Sequence, residues 1–201
     1  MSTDPASAPR SALQGVRYGS ISRFGDERGS FRELWKASTH GPIWPADAGE
    51  SDGATPRFVQ ANLSASAPGV LRGLHFHRRQ LDHWIVASGR AFVALVDVRP
   101  MLADPTASPG VETRVLETDD WVDIPTGVAH GFLALEPLEL IYLVTNEYDG
   151  ADELGFAWDD PSAAVAWPPI TATPDGRPIL SGRDQTNPSL ADLVARLRTE
   201  A

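Results

Sequence analysis

The stretch from Gly69 to His83, Gly-Val-Leu-Arg-Gly-Leu-His-Phe-His-Arg-Arg-Gln-Leu-Asp-His, constrains the fold of this chain more than any other. It holds three of the five histidines, with Arg72 and Asp82, set among Val70, Leu71, Leu74 and Phe76. Val70 to His77 reads as a buried strand. Burying ionisable groups there is costly unless they are paired or serve a site. His75 and His77 are two apart, so both side chains leave the same face. Such a strand calls for a barrel that encloses it and supplies its polar partners.

The rest of the chain offers the strands. Val16–Arg23, Phe31–Trp35, Arg57–Ser64, Val111–Glu117, Trp121–Ile124, Ala129–Leu135, Leu138–Thr145 and Glu153–Trp158 are short β-type runs. Trp84–Ser88 and Ala91–Val98 flank Gly89 as a hairpin. The 17 Gly and 17 Pro punctuate these runs with turns. Two hundred and one residues suit one domain with a sizeable core. Many short strands and tight turns in one domain imply an all-β, jelly-roll β-barrel. Residues 1–15, rich in Ser, Ala and Pro, read as a flexible N-terminal tail, and 16–201 as a single domain. His40–Pro56 and Arg99–Gly110 read as loops, with His40 a solvated loop residue, and Pro161–Pro188 as a long meander. Ser189–Arg198 reads as a terminal helix: Ser189 caps it, Asp192 follows three on, and Leu190, Leu193, Val194 and Leu197 form a stripe.

Arg57–Ser64 alternates cleanly. Phe58, Gln60, Asn62 and Ser64 share one face, Val59, Ala61 and Leu63 the other. A polar face lines a ligand site inside a barrel and is the wet face on a free sheet; the pattern alone favours the wet face.

Charge narrows the function. A net charge of −10 argues against a nucleic-acid partner or an anionic membrane surface, both of which need basic patches. No run approaches the roughly 18 apolar residues of a membrane span, and the N-terminus lacks the apolar core of a signal peptide. The chain has no Cys, which excludes thiol chemistry and fits a cytoplasmic protein.

Downstream, Pro125-Thr126-Gly127-Val128-Ala129-His130 sets a further histidine just after a tight turn. The series His75-x-His77, Asp82, Gly89, then Pro125-x-Gly127-x-x-His130 resembles the two motifs of the cupin barrel, in which these positions face inward and in many members bind a divalent metal. Each histidine alone reads more plainly as a hydrogen-bonded core residue. Arg72 lies three before His75, so a regular strand sends it to the opposite face; a bulge at Gly73 would bring both inward.

Joined together, the segments carry a more specific resemblance. Asp26-Glu27-Arg28-Gly29-x-Phe31, Gln60-x-Asn62-x-Ser64, Gly69-Val-Leu-Arg72-Gly-Leu-His75, Val96-Asp97-Val-Arg99 and Ile124-Pro-x-Gly-x-Ala-His130-Gly-Phe come first. Tyr142-x-x-Thr145-x-x-Tyr148, Glu153-x-Gly155-x-x-Trp158-x-Asp160-Pro161 and Leu180-Ser181-x-x-Asp184 follow. In this order, from Asp26 to Asp184, they resemble the dTDP-4-dehydrorhamnose 3,5-epimerase family. The resemblance implies a dTDP-linked 4-keto-6-deoxyhexose as substrate. A proton leaves C3, C5 or both, next to the ketone, and one returns from the opposite face. No cofactor is required. By position, His75 resembles the base, Asp184 its partner and Tyr142 the acid across the sugar; read alone, Tyr142 is core packing and Asp184 a loop residue. His130 and Arg72 resemble the enolate-stabilising groups. Arg28, Gln60 and Phe31, with Asn62, Tyr148 and Trp158, resemble the substrate and nucleotide contacts. The family also implies a homodimer with exchanged N-terminal strands.

The chain departs from the family in the second half of the opening stretch. Asp82 stands where the family usually has Lys, His77 where Gln is common, and Leu143 where Lys is common. His83 faces the other way along the strand. Two further readings therefore stand beside the epimerase: a divergent cupin binding a metal through His75, His77, Asp82 and His130, and a non-catalytic nucleotide-sugar-binding protein.

Overall fold

The structure is a computed structural model that describes residues 10–36 and 58–200. Its frame is two antiparallel sheets of five strands each. In one, β1 (Arg17–Ser20), β9 (Asp120–Ile124), β6 (Asp82–Ser88), β11 (Leu138–Val144) and β4 (Gln60–Ser66) lie in that order. In the other the order is β12 (Leu154–Gly155), β5 (Leu71–Phe76), β10 (Val128–Ala134), β7 (Arg90–Asp97) and β8 (Gly110–Glu117). Face to face they make the jelly roll that the strand count and turns imply. A separate hairpin, β2 (Arg23–Asp26) with β3 (Gly29–Arg32), pairs its strands with neither sheet, and Arg32 ties it to the Ala87 carbonyl of β6 and to Asp119.

Alternation explains how the sheets pack. Trp84, Val86, Val122 and Leu140 of the first sheet meet Val93, Leu95 and Phe132 of the second in one apolar cluster. The second sheet is apolar on its outer face too. There Leu74, Phe76, Ala94, Val96 and Ala129 meet Leu190, Leu193, Val194 and Leu197 of α2 (Leu190–Thr199). Every residue of β10 is consequently buried, which suits its unbroken apolar run around His130. Ser189 caps α2, its Oγ accepting from the Asp192 N–H at 3.1 Å. Burial of four aliphatic side chains, at about 1.5–3 kcal/mol each, docks the helix.

Several boundaries differ from the sequence reading. Val16–Arg23 breaks into β1 and the start of β2, and Phe31–Trp35 shifts back to β3. Within the stretch read as a loop, Arg99–Ala103 forms a short helix, α1. Pro100 sits in its first turn, where a missing N–H costs nothing, and Met101 is buried. Of Glu153–Trp158 only Leu154 and Gly155 form a strand, paired with β5, and Phe156 adds one backbone hydrogen bond to Leu74. Residues 10–15 lie against β8: Ser11 Oγ donates to Glu112 Oε2 at 2.7 Å, the Arg10 carbonyl accepts from Arg114, and Leu13 is buried. The His40–Pro56 loop and Arg57, the start of the strand read there, lie outside the described residues.

Candidate active site

The site begins with an irregularity in β5. His75 pairs with His130 on β10, yet Arg72 pairs with Phe132. Gly73 and Leu74 thus face Gly131 alone, a β-bulge that turns Arg72 and His75 onto one face. Gly73 is required: its φ is +126°, and a Cβ there would lie 2.6 Å from the Cα of Gly131. The bulge anticipated at Gly73 is present.

Arg72 and His75 open into a cavity of about 580 Å³ between the sheets. The facing wall comes from alternate residues of the first sheet: Gln60, Asn62 and Ser64 of β4, Asp82 and Trp84 of β6, and Tyr142 of β11. His130 and Phe132 of β10 complete the near wall. Tyr148, 71% exposed, stands at the mouth, its N–H donating to Gln60 Oε1 at 2.9 Å. The face of β4 favoured as the wet face of a free sheet therefore lines the cavity. Its apolar face is the open one, with Val59 55% and Leu63 62% exposed.

His75 is oriented from the C-terminal meander. Ile179 bridges to Val70 beside β5, and the turn that follows brings up Asp184. Asp184 Oδ1 lies 2.8 Å from His75 Nε2 and is itself buried. Burial alone would raise the Asp184 pKa. The hydrogen bond and charge of His75, with Ser181 and Arg183, outweigh it and hold the carboxyl below its ordinary range. An ionised carboxylate accepts the Nε2 proton, so Nδ1 is the basic atom of the neutral ring.

Tyr142 faces this pair from the opposite sheet. Burial, reinforced by Asp82 and Glu153 against the pull of Arg72, raises its hydroxyl pKa above 10. Burial also lowers the His130 pKa to about 4; Asp82 opposes this, while His77 and His75 add to it. Asp82, 4% exposed, accepts from Gln80 Nε2 at 2.7 Å and from Trp84 Nε1 at 3.1 Å. Of the four residues considered as metal ligands, His77, Asp82 and His130 converge, their donor atoms within 4.8 Å of one another. His75 is engaged with Asp184 instead.

Not every candidate reaches the cavity. Arg28 and Phe31 sit on the β2–β3 hairpin, with Arg28 paired to Asp26. Trp158 lies against Trp167, ring centroids 6.3 Å apart, and its carbonyl accepts from the Trp167 indole. His83, as its place on the strand implies, points away and binds Asp123 at 2.6 Å. Sequence reasoning passed over Trp84 and Phe132 as lining residues, although alternation puts them on the faces of Asp82 and His130. Asp152, whose carbonyl holds His77, carries no local signal.

Fold and site together define a jelly-roll barrel armed with an imidazole–carboxylate pair and an opposed phenol, equipment for general acid–base chemistry. The family model described as dTDP-4-dehydrorhamnose 3,5-epimerase matches residues 10–192. A dTDP-4-dehydrorhamnose 3,5-epimerase of Pseudomonas aeruginosa is 35% identical over 173 residues, covering 84% of this chain and 87% of that protein. A dTDP-6-deoxy-D-glucose-3,5-epimerase from Legionella pneumophila, solved in complex with dTDP-4-keto-L-rhamnose, superposes with a TM-score of 0.76. It is 30% identical, covering 93% of this chain and 94% of that one. ChmJ, a 3'-monoepimerase from Streptomyces bikiniensis solved with dTDP-quinovose, gives a TM-score of 0.76 at 25% identity, covering 93% and 89%. The chain belongs to the dTDP-4-dehydrorhamnose 3,5-epimerase family.

Proposed function

We propose that this protein inverts C3, C5 or both of a dTDP-linked 4-keto-6-deoxyhexose. The observation that carries the reading is His75, fixed by Asp184, facing Tyr142 across one cavity. A carbon next to a ketone gives up its proton when the enolate is stabilised and a base is in place. His75 Nδ1 takes that proton. Its imidazolium is stabilised by Asp184, as a buried carboxylate stabilises a catalytic histidine generally. Arg72, with no carboxylate partner among the described residues, supplies positive charge for the enolate oxygen; His130, whose Nδ1 proton is given to the Val128 carbonyl, lines the wall beside it. Tyr142 then delivers its proton from the opposite wall, giving the inverted carbon; solvent reprotonates the phenolate and takes up the proton held by the His75 imidazolium, which restores both groups. A raised hydroxyl pKa keeps Tyr142 protonated and ready to donate.

The nucleotide end falls to Gln60, Asn62 and Tyr148 near the mouth. Arg28 and Phe31 act in trans. Phe24 and Phe31 on the hairpin are 62% and 65% exposed, and the outer face of β4 exposes Val59 and Leu63. Two apolar surfaces on one chain, neither covered by the described residues, support a homodimer that exchanges the hairpin. Trp158, held against Trp167, is left out of this site.

Incubation with dTDP-4-keto-6-deoxyglucose in heavy water tests the reading. Deuterium at C3 or C5 is the expected result and names the carbon. Tight dTDP binding without any exchange would overturn catalysis and leave a nucleotide-sugar-binding protein.

A further inference from the structure

We propose that His77, Asp82 and His130 form a binding site for one divalent first-row transition-metal ion, in the same cavity as His75 and Tyr142. Hydrogen-bond direction fixes which ring nitrogens carry lone pairs here. His77 Nδ1 lies 2.9 Å from the Asp152 carbonyl oxygen. A carbonyl only accepts, so Nδ1 carries the proton and Nε2 of the neutral ring presents a lone pair. His130 repeats the arrangement. Its Nδ1 donates to the Val128 carbonyl at 3.2 Å, and its Nε2 lies 3.7 Å from Asp82 Oδ2. Two lone pairs and a carboxylate thus meet with all ligand atoms inside 4.8 Å.

Acceptors that face one another repel unless a cation lies between them. The donors present are neutral. The Gln80 amide reaches Asp82 Oδ1 at 2.7 Å and His77 Nε2 at 3.3 Å, and the Trp84 indole reaches Asp82 Oδ2 at 3.1 Å. Asp82 is 4% exposed, and among the described residues no Arg or Lys pairs with it. A buried carboxylate without a cationic partner is costly, and a bound cation removes that cost.

The outer contacts fit a metal centre as well. A ligating imidazole ordinarily donates its other N–H to a carbonyl or carboxylate, as both rings do here. The Trp84 N–H orients the carboxylate. The Gln80 amide bridges two ligands where the ion would sit, and it lies on a half-buried side chain that can swing aside. At metal–ligand distances of about 2.1 Å, tetrahedral ligand atoms are about 3.4 Å apart, so the set needs only a small contraction. Two imidazoles and one carboxylate select Fe(II), Co(II), Ni(II) or Zn(II) over Mg²⁺ or Ca²⁺. His75 is not among the side chains whose ligand atoms converge, and Asp184 holds its ring by Nε2, so ion and base coexist.

Metal-stripped full-length protein titrated with Co(II), followed by its visible spectrum, and with Zn(II), followed by calorimetry, tests the site without substrate. The outcome is therefore independent of the epimerase reading. One ion per chain is expected, with affinity reduced at least about 100-fold in His77→Ala and in Asp82→Asn and unchanged in His75→Ala. His130 is buried, so the partly exposed His77 and the isosteric Asp82→Asn carry the test, each checked for native circular dichroism. Absence of saturable sub-millimolar binding by folded wild-type protein overturns the site. So does binding that survives in the His77→Ala/Asp82→Asn double variant, or that His75→Ala weakens equally.

Discussion

At the scale of single residues, the chemistry rests on three side chains from three distant parts of the chain. His75 and Asp184 are 109 positions apart, and Tyr142 comes from the opposite sheet. Asp184→Asn replaces the carboxylate with an amide that can donate to Nε2 and so put the His75 proton on Nδ1, and kcat should fall about 100-fold or more with KM little changed, read by steady-state kinetics. Tyr142 works as a protonated acid and its pKa is raised, so kcat should not decline with pH until above about 10, where an ordinary tyrosine would already ionise. Asp184 has the opposite sign. Its folded pKa is depressed, so its stabilising contribution is intact at neutral pH and is lost as pH falls below the ordinary carboxylate range. Denaturant midpoints of wild type and Asp184→Asn, measured from neutral pH down through 4, should converge in that acid window. Little of this was legible from spacing. Tyr142 reads as core and Asp184 as loop, because alternation reports shared faces and says nothing of partners a hundred residues away. The order of motifs, not local physics, singled them out.

At the scale of elements, two local devices decide what enters the cavity. The bulge at Gly73 was legible, because Arg72 and His75 cannot share a face of a regular strand and glycine is the residue that permits the irregularity. Gly73→Val should destabilise the protein by roughly 2–5 kcal/mol, from backbone strain at positive φ and overlap with Gly131, seen as a lower urea midpoint. β4 was half legible. Its alternation names Gln60, Asn62 and Ser64 as one face, but period two cannot say whether a polar face meets bulk water or a cavity. Here it meets the cavity, and the apolar face is left open. The short helix α1 was hidden because Pro100 reads as a breaker, whereas in a first turn it is tolerated. Trp158 was placed by motif alone, and the ring it meets is Trp167.

At the scale of the whole molecule, the jelly roll was legible from strand number and turn density, while assembly was not, since exposed apolar residues declare a surface without naming its occupant. Phe24→Asp with Phe31→Asp should convert a dimer to a folded monomer in sedimentation velocity and raise KM, because Arg28 and Phe31 would no longer reach a partner's cavity. A monomeric wild type with full activity would contradict the exchange. The central claim, that His75 and Tyr142 act on opposite faces of one carbon, is tested most directly by mass and NMR analysis of dTDP-4-keto-6-deoxyglucose in heavy water with His75→Asn and Tyr142→Phe. His75→Asn should abolish deuterium incorporation, while Tyr142→Phe should still exchange protons yet lose inversion by about 10²–10⁴-fold. Wild-type exchange and inversion persisting in both variants would contradict it.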